Sequence, residues 1–383
     1  MPTRATKRGA ARTRLERDCD VLVCGASFAG LAVARELRGS GARVLLIDRY
    51  ELGERQTSAC AMPTVWMRAL GVMSSLRQSF GELLVHTPFR TARWSLPWTF
   101  STFDYRELCA LLWGQVDDGE VEFHTATARV REGHTVHTDR GPITAPLIVD
   151  ALGWRRVLSN REKIQPPNAR LSRGLEVHPH SRGSDMELWV DPRYVRAGYS
   201  WSFPADDELR VGVGSFWPSH HVKAPTVRLA GDLGLAAERY QGNWIPHKLR
   251  PAVEDGVFFV GDSAGHCLPL TAEGIRTALY FGLACGRELR GVLEGRQDRA
   301  QALARYAAFC DRHRRPFRWL LRVQSLVSRL NPTPAMTPAL RLMDHQRFID
   351  WSFRHYLRIA PPGFALEGDL PPVDAEPVAA AAA

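Results

Sequence analysis

At 383 residues, 45% hydrophobic and 24% charged, the chain has ordinary globular composition and the length of about two domains with sizeable cores. No apolar run approaches the ~18 residues that a spanning helix needs. The formal charge is +9, yet only four of the fifty basic residues are lysine and the arginines are spread throughout. With no recognisable nucleic-acid module, this argues against a nucleic-acid partner and leaves open an anionic membrane surface or a phosphorylated substrate.

The start, "MPTRATKRGAARTRLERD", is basic and lacks both an apolar stretch and a small-residue cleavage site. It is not read as a secretory signal, and residues 1–17 are expected to be a disordered tail. The seven cysteines are scattered with no C-x-x-C pair, so neither a metal site nor a disulfide framework is expected, and a cytoplasmic location fits. Residues 20–50 read strand, turn, helix, strand in "DVLVC", "GASFAG", "LAVAREL" and "RVLLIDR". "TFDYRELCALLWGQV" puts Leu108, Leu111 and Leu112 on one helical face, with Asp104 in the N-cap position. Short strands follow around "EVEFHT", "TVHTDRG" and "APLIVDALG". From Leu171 to Trp217 the pattern becomes alternation broken by turn residues, which predicts antiparallel strands. "GVFFVGDSAG" restores a buried strand, and helical periodicity dominates from Glu273 to about Arg358. The end, "ALEGDLPPVDAEPVAAAAA", has almost no large apolar residues and reads as disordered.

The stretch "VLVCGASFAGLAVAREL" is nearly the dinucleotide turn G-x-G-x-x-G, with Ser27 in place of the middle glycine. Gly25 permits the tight turn and Gly30 lets the helix pack closely on the sheet. Amides at the helix start then face an anion. Ser27 and Ala29 are small enough to leave that backbone accessible. Asp48, with Arg49 beside it, ends the next strand 18 positions after Gly30, where an acid can bind a ribose hydroxyl pair. By itself the turn suits FAD or NAD.

Later stretches decide between them by resemblance. "FVGDSAGHCLPLTAEGIRTALYFG" sets Asp262 at a strand end, a proline in the loop, and Gly274–Ile275 at a helix start twelve positions on. This resembles the second FAD motif of the para-hydroxybenzoate hydroxylase-like superfamily. That resemblance implies that Asp262 bonds the ribityl chain and that the Gly274 and Ile275 amides face the flavin pyrimidine. "LIVDALG" resembles a strand motif of the same superfamily. "FDYREL" resembles its helix-start arginine, which puts Arg106 near the flavin or pyrophosphate. A narrower likeness is to the geranylgeranyl reductase family, whose Y-x-W-x-F-P motif matches "YSWSFP" at Tyr199, Trp201, Phe203 and Pro204. There the motif lines the substrate cavity. "GERQTSACAMP" resembles that family's cysteine loop, which implies that Cys60 and Ala61 lie against the isoalloxazine. Two departures stand out: Trp154-Arg155-Arg156 where many relatives carry a small residue and serine, and Ala272 where glycine is frequent.

The resemblance implies an α/β fold: a Rossmann-like FAD-binding domain with an inserted antiparallel-sheet substrate domain and a C-terminal helical segment. The expected divisions are 18–165 and 247–298 for FAD, 166–246 for substrate, and 299–360 for the helices, with tails at 1–17 and 364–383. The implied activity is reduction of carbon–carbon double bonds in an isoprenoid or other apolar substrate, with Cys60, Tyr199 and Trp201 as catalytic candidates and Tyr199, Trp201 and Phe203 holding substrate. The proton donor stays open among Cys60, Tyr199 and solvent. A monooxygenase acting on a small apolar or aromatic substrate is the alternative. A flavin-dependent halogenase, with its W-x-W-x-I-P motif, is disfavoured, because no lysine lies between Lys7 and Lys163. No second dinucleotide loop is present, so electrons are expected from transiently docked NAD(P)H or a protein donor. In "FRWLLRVQSLVSRL", Arg318, Arg322 and Arg329 form one stripe and Trp319, Val323, Leu326, Val327 and Leu330 gather on another face. This basic amphipathic helix suggests a peripheral membrane contact.

Overall fold

A computed structural model describes residues 13–56, 58–116, 119–161, 171–330, 341 and 344–366. Its helices are α1 (Phe28–Leu37), α2 (Thr64–Leu70), α3 (Tyr105–Gly114), α4 (Lys223–Asp232), α5 (Ile275–Leu293), α6 (Arg299–Arg312), α7 (Arg314–Leu330) and α8 (Gln346–Arg358). Two compact units divide the chain. The first comprises Met1–Gln56, Tyr105–Arg170 and Ile245–Leu321; the second comprises Thr57–Asp104, Leu171–Trp244 and Arg322–Ala383.

The first unit is built on a six-stranded sheet in the order Val253–Glu254, Val257–Phe259, Leu147–Asp150, Val21–Cys24, Val44–Asp48, Val121–Thr125. All its pairings are parallel except that of the first two strands. Continuous apolar runs such as "VLVC" suit strands covered on both faces, and all four of those residues are buried. Helices α1 and α5 pack closely: a Cβ on Gly282 would stand 2.7 Å from the Ala29 carbonyl oxygen, and one on Gly286 2.8 Å from that of Val33. A four-stranded sheet joins this unit, with Arg17–Asp18 parallel to Gly141–Thr144. Leu15 is buried against the same core, so ordered structure begins inside the stretch expected to be a tail. The rest of that stretch, residues 1–12, lies outside the described residues, as do 367–383 of the expected C-terminal tail.

The second unit centres on an eight-stranded sheet in the order Gln241–Pro246, Leu171–Val177, Glu208–Ser215, Gly198–Ala205, Glu187–Trp189, Leu76–His86, Thr91–Phe103, Ala61–Pro63. The alternation of Leu171–Trp217 gives antiparallel strands. One face buries Val177, Val211, Val213 and Trp189 with Leu229 and Ala230 of α4. The long hairpin of Leu76–His86 and Thr91–Phe103 is not read from the sequence. Pro97 interrupts its second strand, and pairing jumps there from Phe80↔Phe100 to Glu82↔Ser95. A bulge absorbs the proline and also spoils the period-2 signal. Helix α8 lies on this strand: Trp98 packs on Phe353 at 5.7 Å and stacks on Tyr356 at 6.3 Å between ring centroids, and its indole N–H donates to the Phe353 carbonyl at 3.3 Å.

Candidate functional site

In the first unit the glycine turn has the geometry its sequence calls for. Gly25 has φ +111°, and a Cβ there would meet the Ala151 carbonyl oxygen at 2.2 Å; one on Gly30 would meet the Gly25 oxygen at 1.7 Å. Neither α1, capped by Ser27, nor α5, capped by Gly274, carries a side-chain cap on its amides. Two helix N-termini therefore keep donors and positive dipole ends unused by the protein's own side chains. Asp48 receives the Ala26 amide on Oδ2 at 2.8 Å and the Tyr50 amide on Oδ1 at 3.0 Å. A carboxylate has about four acceptor sites, so two remain for ribose hydroxyls. Burial raises the Asp48 carboxyl above its usual range, against the pull of those amides.

Asp262 lies in the turn after Val257–Phe259, close to both helix starts: a Cβ on Gly261 would stand 2.9 Å from Ala29 Cβ, and one on Gly274 would stand 3.8 Å from Asp262 Oδ1. Desolvation pushes the Asp262 carboxyl up to about 6, with Arg250 pulling the other way. The loop from there to α5 is strained, with Leu270 at φ +70° and Ala272 at φ +52°. Ala272 thus occupies a backbone shape that glycine adopts freely. Arg106 is exposed in the first turn of α3, which sits beside α1 through a Ser27–Tyr105 hydroxyl contact of 3.3 Å and a Phe28–Tyr105 edge contact. Arg49 is exposed over the Tyr50 ring. Gly25, Ser27, Ala29, Gly30, Asp48, Asp262, Gly274 and Ile275 are thus brought together in one unit. Uncapped amides, a cradle that a Cβ would fill and an acid at each strand end fit FAD.

The departure at residues 154–156 has a structural role that sequence reasoning missed. Arg156 is buried, at φ +52°, with its guanidinium 3.5 Å from the Phe259 ring centroid. It donates to the Ser263 carbonyl at 2.8 Å and to Glu254 at 3.1 Å. Asp150 accepts from Ser263 Oγ at 2.6 Å and from the Leu152 and Leu158 amides. Both residues hold the turn that carries Asp262. The signal was the Trp154-Arg155-Arg156 run after "LIVDALG".

In the second unit Tyr199, Trp201 and Phe203 alternate on one half-exposed face of their strand while Ser200 and Ser202 are buried. Their neighbours on the paired strand are Gly214, Gly212 and Arg210. The Trp201 ring covers the glycines, since a Cβ on Gly212 would lie 2.2 Å from it. Phe203 continues into partly buried Leu188, Phe100, Trp94 and Phe353. The result is a broad aromatic surface. Cys60 is fully buried at φ +51°, one residue before the strand opened by Ala61. Its carbonyl accepts from the Phe103 amide at 3.0 Å. Among the described residues no cluster could hold a metal ion, and all seven cysteines are free.

The arginines of α7 and α8 lie outward. On α7 Arg318, Arg322 and Arg329 are exposed, whereas Phe317, Leu320, Gln324 and Ser328 are buried. The apolar stripe read from the sequence divides: Val323 and Val327 are half-buried, and Trp319 and Leu326 are 58% and 56% exposed beside the arginines; the side chain of Leu330 lies outside the described residues. On α8 Arg347, Arg354 and Arg358 flank exposed Trp351 and Phe348. No helix among the described residues is long and apolar enough to cross a membrane.

The chain matches no model of a known protein family. It is 24% identical over 335 residues to digeranylgeranylglycerophospholipid reductase 3 of Methanosphaera stadtmanae, an alignment covering 78% of this chain and 83% of that one. Its fold resembles a geranylgeranyl bacteriochlorophyll reductase-like protein of Thermoplasma acidophilum, with TM-score 0.78 and 15% identity over 91% of this chain and 98% of that one. The chain is thus similar in sequence to digeranylgeranylglycerophospholipid reductases and in fold to a geranylgeranyl reductase-like protein. The fold also resembles that of a probable FAD-dependent monooxygenase of Pseudomonas aeruginosa, with TM-score 0.59 and 19% identity over 86% of this chain and 98% of that one.

Proposed function

We propose that the protein is an FAD-dependent reductase that saturates carbon–carbon double bonds of an isoprenoid or comparably apolar chain. The observation that carries this reading is the aromatic face of the second unit. Tyr199, Trp201 and Phe203 lie half-exposed over Gly212 and Gly214, a surface suited to burying methylenes at roughly 0.8 kcal/mol each. Reduced FAD supplies a hydride to one alkene carbon. Gly274 and Ile275 at the uncapped α5 start would hold the flavin pyrimidine, where the helix end would favour an anionic ring by ~0.3–2 kcal/mol. The other alkene carbon takes a proton, for which Cys60, Tyr199 and solvent are the candidates. Electrons come from transiently docked NAD(P)H or a protein donor. Arg106 is assigned near the flavin or the pyrophosphate, and Arg49 to the cofactor.

The protein works in the cytoplasm at the edge of a membrane. Exposed tryptophans beside exposed arginines on α7 and α8 support a peripheral contact. The monooxygenase reading rests on fold alone. The deciding experiment reduces the purified enzyme anaerobically and adds polyprenyl substrates. Flavin reoxidation with a saturated product is expected. Reoxidation only with oxygen, giving a hydroxylated product, would establish the monooxygenase.

A further inference from the structure

One buried ionic chain in the second unit ties Trp201 to Cys60. The Trp201 indole N–H donates to Glu176 Oε2 at 3.2 Å. Oε1 of Glu176 accepts a hydrogen bond from His178 Nε2 at 2.9 Å, and the ring's other nitrogen, Nδ1, lies 3.8 Å from Glu208 Oε1. The same Glu208 oxygen accepts from Arg210 Nε at 2.9 Å. Arg210 Nη1 then donates to three carbonyls: Ala59 at 2.8 Å, Phe103 at 3.0 Å and Cys60 at 3.2 Å. Arg239 flanks the chain, pairing with Glu208 at 3.3 Å and donating to the His178 carbonyl. Glu176, His178 and Arg210 are all buried.

Charges removed from water contribute little net stability, and apolar residues would often serve the fold as well. What this chain does instead is geometric. It fixes the plane of the Trp201 indole at one end. At the other it clamps the carbonyl of Cys60, a non-glycine residue held at φ +51°, a conformation that costs energy unless its surroundings over-determine it. Arg210 suits this clamp because a planar guanidinium offers five donors in a fixed fork.

We infer that Glu176, His178, Glu208 and Arg210 are positioning residues that set the aromatic wall and the cysteine loop as one unit, so that disturbing either end displaces the other. The inference rests on the proposed reductase activity for its kinetic consequence but not for its structural one. The test uses the FAD-loaded enzyme labelled with 5-fluorotryptophan, with the Trp201 resonance assigned by Trp201→Phe. Glu176→Gln, adjacent to the indole, and Arg210→Lys, at the far end, are each expected to shift that resonance. Against a polyprenyl substrate each is expected to lower kcat by about tenfold, the scale of a small misplacement near reacting atoms, with KM nearly unchanged. The double variant is expected to be no worse than the poorer single one, as for groups acting together. Glu208→Gln replaces Arg210→Lys if the latter does not fold. An Arg210 or Glu208 variant that leaves the Trp201 resonance unmoved would overturn the inference, as would additive kinetic losses. Because the resonance is read without substrate, failure of the alkene reduction leaves this outcome distinguishable.

Discussion

Asp262 concentrates two opposing demands in one carboxyl. It is the residue proposed to bond a ribityl chain, and burial pushes it up to about 6. An unfolded aspartate titrates near 3.9, so between these values the folded protein binds more protons than the unfolded chain and loses stability as pH rises through the window. Urea unfolding of FAD-free protein is expected to show Asp262→Asn gaining on the parent from pH 4 to 6, then holding a constant lead. With FAD present the opposite penalty appears. Asp262→Ala removes a cofactor hydrogen bond worth about 0.5–1.5 kcal/mol, so fluorescence titration is expected to show several-fold weaker FAD binding. Ala272 offers a further check. Its φ of +52° is unfavourable for a residue with a Cβ by roughly 1–2 kcal/mol. Ala272→Gly relieves this strain but adds unfolded-state entropy, and a net rise of a few degrees at most in melting temperature is expected from thermal scans.

At the scale of elements, the strand–turn–helix around Gly25 and Gly30 is the least tolerant part of the molecule. A methyl on Gly30 would stand 1.7 Å from the Gly25 carbonyl oxygen, inside backbone that cannot give way. Gly30→Ala is therefore expected to cost at least the ~1–3 kcal/mol of ordinary overpacking and to yield colourless protein, checked by the flavin absorbance after purification and FAD reconstitution. Helix α5 answers the same constraint from the other side, since Gly282 and Gly286 meet the α1 backbone and Glu36. Its first turn is stiffened by the bidentate Glu273–Arg276 pair at 2.8 and 2.7 Å.

At the scale of the whole molecule, the exposed edges of α7 and α8 set how the protein meets its surroundings. Helix α7 has no acidic residue at all, and α8 has only Asp350. Polybasic segments gain about 1 kcal/mol per residue near an anionic surface, a gain that salt removes. Sedimentation with anionic vesicles is expected to pull the protein down at low salt and release it at high salt. Trp319→Ala together with Trp351→Ala is expected to weaken binding at every salt concentration, because it removes the apolar part. Equal and negligible binding under all conditions would leave these helices without a membrane role.

The strand, turn and helix framework of the candidate cofactor site was legible in the sequence because its signals are local. Gly25 takes a positive φ and Gly30 a close approach that a Cβ would block, while Asp262 and Gly274 are marked by their place at a strand end and a helix start. Alternation likewise marked the strand of Tyr199, Trp201 and Phe203. What only the tertiary structure decided is what long-range packing assembles. The Leu76–Phe103 hairpin joins a sheet whose other strands, apart from Ala61–Pro63, follow some seventy residues later, and its proline bulge hides its period. Arg156, Glu176, His178 and Arg210 look like ordinary polar residues until burial pairs them across the fold. A charge in the interior is costly unless it is partnered, and partners distant in sequence are fixed only when the chain folds.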